Sequence, residues 1–468
     1  MWQHDDGKLL EYRAFRRIPN SVHTKMPLNR RAFLKTAAAG ATVLANHPLW
    51  GATAEAPPET DDAVLARVQD DIAKHRQGAG VIVVRGTDGK PIANAEVKVE
   101  QTRHEFLFGC NAFRFARLRD AKQEEDYRQR FAALLNYATL PFYWASYEPE
   151  EGKPIYDYSE RTADWCHAHG IACKGHPLVW DHPAGNPRWL PADLQEIGRL
   201  SQQRVREIVS RFKDRIAIWD VVNEATHLGQ ANQEQRMSKW AVTLGATKYV
   251  NDHLQTARAA NPKATLLVND YRLDQPYYRL LVSLRAEGRL LFDAVGLQSH
   301  MHDGGWPLHR LWSCCETFRA LGLPLHFTET TAVSGPRTGP GENWGPTTPE
   351  LEAKQADYVV KFYTALFAHP AVQAITWWDF SDNGAWQRAA AGLLRMDMSP
   401  KPVYDRLLKL VKGEWWTKTA GRTNERGEFL ARAFFGTHRV TVELPNGRVA
   451  ATEVQWRRGQ ENRFELVA

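Results

Sequence analysis

The chain has 468 residues, of which 43% are hydrophobic and 24% are charged. This length allows one α/β barrel of about 250–300 residues plus additional elements, and the hydrophobic content excludes a chain that is disordered throughout. The formal net charge is +6, but residues 1–54 contain eight Lys and Arg against three Asp and Glu. Because the remaining chain is almost neutral and has no basic stripe, nucleic acid is not an expected partner.

Residues 1–54 have the organisation of an export signal. A twin-arginine segment runs from Asn29 to Lys35, a weakly apolar stretch covers 36–45, and a small-residue cleavage site ends at Ala54. This order predicts a twin-arginine signal that is removed, with Met26 as an alternative start. The apolar stretch is too short to span a bilayer, so we expect a periplasmic or secreted protein without a membrane anchor. A basic helix of the mature protein is the alternative interpretation.

The cysteines do not indicate a metal site. None of the five (Cys110, Cys166, Cys173, Cys314 and Cys315) forms a CxxC pair, so a zinc site and a cofactor are not expected. Cys110 and Cys173 occur in apolar runs and are predicted to be core residues. One disulfide is compatible with an oxidising compartment, but the sequence does not identify it.

Both ends of the remaining chain are rich in predicted β-strands. Residues 55–104 contain a helical segment, 61–77, and two β-branched runs, 80–85 and 95–103, that an Asp-Gly turn joins into a predicted hairpin. Residues 412–468 contain three strand-like runs, Phe429–Phe435, Arg439–Leu444 and Thr452–Trp456. We therefore predict one small accessory β-sandwich, built from the two flanks beside the main domain.

Residues 105–411 alternate between apolar runs and helical segments. Eight runs are typical of buried parallel strands: Phe106–Cys110, Leu134–Phe142, Ile171–His176, Ile216–Val222, Thr265–Asn269, Ala294–Gln298, Leu325–Thr328 and Ala374–Phe380. The segments between most of them have helical periodicity: 124–135, 158–169, 200–212, 248–260, 277–289, 311–321 and 348–367. This alternation predicts a (β/α)8 TIM barrel. A doubly wound open sheet is the competing fold, but the Gly-rich phosphate loop typical of that fold is absent.

Two acidic residues, Glu224 and Glu329, each end one of these apolar runs. The carboxyl ends of the strands form the open mouth of a barrel, where barrel enzymes have their active sites. Two carboxylates facing each other there are the minimum equipment for cleaving a glycosidic bond. A solvated loop charge is the alternative interpretation of either residue alone.

Six segments carry a resemblance to a known family. They are Trp219–Ala225, Lys174–Trp180, Asn269–Tyr271, Gln298–His300, Phe327–Glu329 and the spaced set Trp378, Asp382 and Trp386. In this order they resemble glycoside hydrolase family 10, the endo-β-1,4-xylanases, over roughly residues 105–410. The resemblance implies a TIM barrel and a retaining glycosidase that acts on xylan or a related β-linked plant glycan and needs no cofactor. The expected partner is a polysaccharide or oligosaccharide, and a monomer is expected.

The resemblance also implies roles for individual residues. Glu329 would be the nucleophile and Glu224 the acid/base, protonated near neutral pH because the charge of Glu329 and partial burial raise its pKa. Asn223 would bind the 2-hydroxyl of the cleaved sugar, and His300 would orient Glu329. The remaining candidates would line the sugar subsites: His176, Trp180, Tyr271, Gln298, Trp378, Trp386 and Tyr143.

The chain departs from the family pattern on the non-reducing side of the site. Thr139, Leu140 and Tyr143 stand where the family has Glu, Asn and Lys, while Thr331 replaces an Asp and Asp181 replaces a His. A polar subsite has therefore become aromatic and apolar, which favours a decorated or non-xylan β-glycoside as the alternative substrate. A barrel that binds carbohydrate without cleaving it is the alternative from another class, and intact Glu224 and Glu329 argue against it. His300 and His302 suggest a metal pair, but no further ligand stands at a suitable spacing.

Overall fold

The computed structural model describes residues 60–229, 236–339 and 341–467. The predicted export signal, residues 1–54, lies outside the described residues and stays a prediction. Within these ranges, no helix combines the length and apolar character that a membrane span requires.

The strands, in chain order, are β1 (Gln77–Arg85), β2 (Glu96–His104), β3 (Leu107–Asn111), β4 (Tyr137–Pro141), β5 (Ala172–His176), β6 (Val179–Trp180), β7 (Ile218–Asn223), β8 (Thr265–Asp270), β9 (Arg285–Ala286), β10 (Arg289–Leu290), β11 (Ala294–Met301), β12 (Leu325–Ala332), β13 (Val372–Trp377), β14 (Lys418–Arg422), β15 (Glu428–Phe434), β16 (Gly436–Glu443), β17 (Val449–Trp456) and β18 (Asn462–Val467). The α-helices are α1 (Asp61–Arg76), α2 (Ala121–Leu134), α3 (Trp144–Tyr147), α4 (Asp157–Ala168), α5 (Leu194–Arg211), α6 (Arg236–Leu244), α7 (Ala246–Ala260), α8 (Gln275–Ser283), α9 (Leu308–Arg319), α10 (Pro349–Ala368) and α11 (Pro402–Lys409).

Eight of the strands close a parallel barrel. Their order is β3, β4, β5, β7, β8, β11, β12 and β13, and pairing of β13 with β3 completes the ring. The short strand β6 pairs with the end of β7 beyond β5. Helices lie between successive strands, which confirms the predicted (β/α)8 fold. Because both faces of each strand are covered, strands such as β7, β8 and β12 are buried along almost their whole length and do not alternate between buried and exposed residues.

The helix ends follow local capping rules. Thr348 caps α10 by accepting a hydrogen bond from the Leu351 N–H, and Pro349 occupies the first helical position. The prediction of a helix over 277–289 is wrong at its C-terminal half, since α8 ends at Ser283 and the short hairpin β9–β10 follows. The left-handed conformations of Glu287 and Gly288 form the turn of that hairpin.

Two further sheets flank the barrel. One has the order β15-β1-β18 and the other β14-β2-β16-β17, and a shared apolar cluster between them includes Ile82, Val97, Val440 and Trp456. The predicted hairpin is wrong, because β1 and β2 belong to different sheets and their connection keeps only one isolated bridge, Arg85 to Pro91. The two strands instead bury their apolar faces in the same cluster.

Candidate active site

Glu224 follows the last residue of β7 at the C-terminal rim of the barrel. Its backbone is left-handed, with φ 57° and ψ 40°, a region that non-glycine residues seldom occupy. Its N–H donates to the Asn269 carbonyl at 2.7 Å, which ties this turn to the end of β8. Unusual backbone conformations of this kind cluster at functional sites.

Glu329 lies within β12 and is 5% exposed. The register between β11 and β12 pairs Leu297 with Phe327 but Gln298 with Glu329, so Thr328 is an extra residue on β12. A bulge of this type redirects the side chains that follow it. Glu329 is thereby brought into contact with groups on β5, β8 and β11.

Three side chains donate hydrogen bonds to the Glu224 carboxylate. The indole Nε1 of Trp180 donates to Oε2 at 3.1 Å. The amides of Asn223 and Gln298 donate to Oε1 at 3.3 and 3.0 Å. All three are predicted site residues, and the structure brings them together around Glu224.

Glu329 has a different set of partners. The Asn269 amide donates to Oε1 at 2.6 Å, and His300 Nε2 lies 3.1 Å from Oε2. His176 Nε2 lies 3.8 Å from Oε1. The predicted contact between His300 and Glu329 is therefore present in the structure.

Asn269 connects the two carboxylates, a role that the sequence did not predict. Its amide also donates to Asn223 Oδ1 at 2.8 Å, and its own oxygen accepts from the Thr328 hydroxyl. One amide thus bridges Glu329 and the residue beside Glu224. The available signal was its place in the Asn269–Tyr271 segment, which predicts a strand end but not this bridge.

The electrostatic surroundings separate the pKa values of the two carboxylates. Burial raises the pKa of Glu224 to about 8, and the charge of Glu329 adds to the rise. Sequence reasoning named these causes in the opposite order. Burial would also raise the pKa of Glu329, but attraction to His176 and the contact with His300 outweigh it and leave this pKa lowered. A general acid must hold its proton and a carboxylate nucleophile must be ionised, and the two shifts favour these states in Glu224 and Glu329.

A buried charge network lies behind Glu329. Lys174 Nζ and His176 Nδ1 lie 2.6 and 2.8 Å from the same oxygen of Asp220, and Lys174 and Asp220 are fully buried. The partners of Asp220 in these bonds are Lys174 and His176, and neither bond involves Glu224 or Glu329. It holds the two basic groups in place, and His176 in turn faces Glu329.

Aromatic side chains surround the carboxylates. Trp378 makes edge contacts with His176 and His300 at 5.4 and 5.7 Å between ring centroids, while Trp386 packs on His300 at 4.4 Å. Tyr143 contacts His176 and Trp180 at 5.6 and 5.9 Å. These rings form one continuous group with the candidate acid and nucleophile.

Two aromatic residues extend the site. Phe113, which the sequence did not predict, contacts Tyr143 at 5.9 Å and Trp378 at 5.5 Å. Phe113 follows β3, the first barrel strand, and this position is the sequence feature that could have identified it as a site residue. Tyr271 is 49% exposed and stacks on His227 at 4.4 Å, so it lies at the rim.

The five departures from the family pattern have different surroundings. Leu140 and Thr139 are fully buried, while Tyr143 makes ring contacts with Phe113, His176 and Trp180. Asp181 accepts from the Gly229 N–H at 2.7 Å and from the Ser238 hydroxyl, and therefore holds the segment after β7. Thr331 is fully buried, and its hydroxyl lies 2.9 Å from His300 Nδ1.

The contact between Thr331 and His300 fits one neutral tautomer of the ring. If Nε2–H donates to the ionised Glu329, a neutral ring can only accept at Nδ1, and the Thr331 hydroxyl can donate there. The described part of the chain contains no group of three His, Cys, Asp or Glu side chains suited to a metal ion.

A closed parallel barrel with two carboxylates at its C-terminal rim is the arrangement of the barrel glycoside hydrolases. The family model of glycosyl hydrolase family 10 matches residues 100–410. The chain belongs to glycosyl hydrolase family 10.

Relatives and solved structures agree with this assignment. Endo-1,4-beta-xylanase B of Thermotoga neapolitana is 27% identical over 284 residues, covering 58% of this chain and 78% of that protein. Endo-1,4-beta-xylanase 1 of Arabidopsis thaliana is 26% identical, and the match covers 79% of this chain and 37% of the relative. The anti-sigma-I factor RsgI6 of Acetivibrio thermocellus is also 26% identical, with 83% and 48% covered. The chain thus spans less than half of these last two relatives.

The barrel resembles xylanase 10B from Thermotoga petrophila RKU-1, whose crystal structure is in complex with xylobiose. The TM-score is 0.56 and the sequence identity 25%, with 66% of this chain and 95% of that one covered.

Proposed function

We propose that the protein is a retaining glycoside hydrolase that cleaves β-1,4-linked xylan or a related plant glycan by double displacement. The observation that carries the proposal is the pair Glu224 and Glu329, joined through Asn269 and Asn223, with pKa values shifted in opposite directions. Family membership and the named xylanases among its relatives support the substrate class.

In the first step, a Glu329 oxygen attacks the anomeric carbon and the bond to the leaving sugar oxygen breaks. Glu224 gives its proton to that oxygen, so no alkoxide is released. In the second step, Glu224, now ionised, takes a proton from water, whose oxygen displaces Glu329 from the same carbon. Two inversions retain the β configuration.

The neighbouring residues have matching tasks. Gln298, Asn223 and Trp180 hold the Glu224 carboxyl by hydrogen bonds to both of its oxygens. His300 and Asn269 fix Glu329 for attack. We assign Asn223 to the 2-hydroxyl of the cleaved sugar and the rings of Trp378, Trp386 and Tyr271 to its binding surface, because flat aromatic faces match the C–H face of a pyranose.

The substrate differs from an unbranched xylose chain on the non-reducing side. Tyr143 and Phe113 form an aromatic wall next to Trp378 and Trp180. Thr139, Leu140 and Tyr143 also replace the Glu, Asn and Lys of the family pattern, whose hydrogen bonds would discriminate between sugars. We therefore propose a decorated or aryl-linked β-glycoside as the better substrate. Xylohexaose cleaved with kcat/KM of about 10⁵ M⁻¹s⁻¹ or more would contradict this part of the proposal.

Two variants test the chemistry. Glu329→Ala should abolish turnover of every substrate, because no nucleophile remains. Glu224→Ala should still release dinitrophenol from an aryl glycoside, whose leaving group needs little protonation, and added azide should yield a β-glycosyl azide. Equal activity of both variants and wild type would contradict the assignment.

A binding protein without catalysis is the second candidate, since one relative is named an anti-sigma-I factor. If the protein only binds carbohydrate, polysaccharide in the gel should retard the wild-type protein in affinity electrophoresis. The wild type should then hydrolyse no member of a panel of aryl β-glycosides and polysaccharides. Turnover that Glu329→Ala loses while binding persists would exclude it.

A further inference from the structure

A cavity of about 110 Å³ lies between the barrel and the flanking sheets. Its walls include Leu107 at the start of β3 and Gln373 near the start of β13. The cavity therefore opens at the N-terminal end of the barrel, opposite the rim that holds Glu224 and Glu329. Two arginines, Arg76 and Arg458, line it.

Arg76, the last residue of α1, is 5% exposed. Its Nε and Nη2 donate to backbone carbonyls at and beyond the C-terminal end of α10, those of Phe367, His369 and Val372. These bonds leave Nη1 without an acceptor among the described residues. A buried guanidinium therefore has donor capacity left over beside the cavity.

Arg458 reaches the same place from the flanking sheets. Its Nη1 donates to the Pro370 carbonyl at 3.1 Å, and the guanidinium lies 5.9 Å from the centroid of the Phe435 ring. Neither arginine forms an ion pair with a carboxylate in the described part of the chain. Burial, and then the charge of Arg458, lower the pKa of Arg76, while Glu105 opposes this. Glu105, which is exposed, also lines the cavity, and together with the negative end of α10 it offsets part of the two positive charges.

We propose that this cavity is a binding site for a small oxyanion, held by the guanidinium groups of Arg76 and Arg458. Phosphate, sulfate and the carboxylate of a sugar acid share this chemistry, since each presents two oxygens to a guanidinium fork. A cavity of this size has room for such an ion and accompanying water. The bound anion links α1 and α10 to the flanking sheets, so it stabilises the native state. This site is independent of the glycosidase proposal.

The test is thermal unfolding of the full chain at constant ionic strength, with millimolar sodium phosphate, sodium sulfate or sodium glucuronate replacing sodium chloride. We expect a saturable rise in Tm of about 2 °C or more for the anion that binds, and a matching binding isotherm by titration calorimetry. A response to phosphate or sulfate indicates an inorganic anion as the ligand, and a response to glucuronate indicates a sugar acid.

Arg458→Gln should weaken binding of the anion at least about tenfold, because a charge-assisted hydrogen bond is lost. The neighbouring exposed residue provides a matched control, since Arg457→Gln removes the same charge from outside the cavity lining and should leave binding unchanged. A Tm rise that is equal in wild type and Arg458→Gln would reveal general salt stabilisation and overturn the proposal. So would the absence of any saturable response. Hydrolysis of an aryl glycoside should be the same in both variants.

Discussion

Replacing Glu224 by Gln should stabilise the protein at neutral pH while it abolishes acid catalysis. Burial and the charge of Glu329 raise the pKa of Glu224 from 4.5 to about 8 in the folded chain. Between these two values the unfolded chain has released a proton that the native state keeps. Native stability therefore falls as pH rises from 4.5 to 8, and the loss is absent below 4.5, where both states are protonated.

The magnitude follows from the size of the shift. At pH 7, two and a half pH units separate the solution from the unfolded pKa, and each unit corresponds to about 1.4 kcal/mol, so the loss is at most about 3.4 kcal/mol. Glu224 is only partly buried by its side-chain exposure, and solvent screening reduces this figure to about 1–3 kcal/mol. Neutral Gln has nearly the same shape and does not incur this loss.

Urea denaturation of wild type and Glu224→Gln at pH 4.5 and pH 7 measures the effect. Relative to wild type, the unfolding free energy of the variant should be about 1–3 kcal/mol higher at pH 7 than at pH 4.5. The contact of the Gln amide with the donors around position 224 changes stability equally at both pH values and cancels in this difference. The exposed Glu453 on β17 provides the control, since Glu453→Gln should change stability by less than about 0.5 kcal/mol at either pH. A gain that is absent, or equal at both pH values, would refute the reasoning.

Further predictions concern the rate, the ring of His300 and export. The value of kcat/KM should fall above about pH 8, where Glu224 loses its proton. It should also fall below pH 4.5, where Glu329, whose pKa is lowered, becomes protonated. A fall in the alkaline limb that begins near pH 6 would contradict the pKa of Glu224. Thr331→Val should lower kcat/KM about three- to tenfold by removing the hydroxyl at His300 Nδ1, whereas Thr331→Ser should not, and the ¹⁵N NMR signal of His300 Nδ1 should shift in the valine variant alone, because that nitrogen loses its hydrogen bond. We also propose export by the twin-arginine route, so Arg30→Lys with Arg31→Lys should leave the precursor in the cytoplasm; fractionation showing normal export would exclude it.

The sequence predicted the barrel because its signal is repeated. Eight apolar runs with helical segments between them leave few other folds, and a glutamate at the end of a run is placed at the rim by topology alone. A sandwich built from both flanks was predicted correctly, but strands β14 and β18 were missed, and β1 was paired with β2 where the structure pairs each of them with C-terminal strands. Alternation along β1 and β2 identifies a buried face without saying which sheet each strand joins, so the Asp-Gly turn suggested a hairpin where the chain crosses between sheets.

The finer features of the site depend on long-range contacts. The Asn269 bridge joins residues from β7, β8 and β12, and the extra residue at Thr328 is defined only by the register against β11. Neither has a local sequence signal. The charge of Glu329 was visible from the motif, whereas the larger effect of burial on Glu224 required the packed structure.

The stereochemistry of the first product tests the central proposal most directly. Wild-type enzyme is mixed with a dinitrophenyl β-glycoside of xylobiose, and ¹H NMR follows the anomeric protons before mutarotation mixes them. Double displacement through Glu329 and Glu224 predicts that the β anomer appears first and the α anomer grows in later. Initial release of the α anomer would mean a single inversion by water and would contradict the roles assigned to both glutamates.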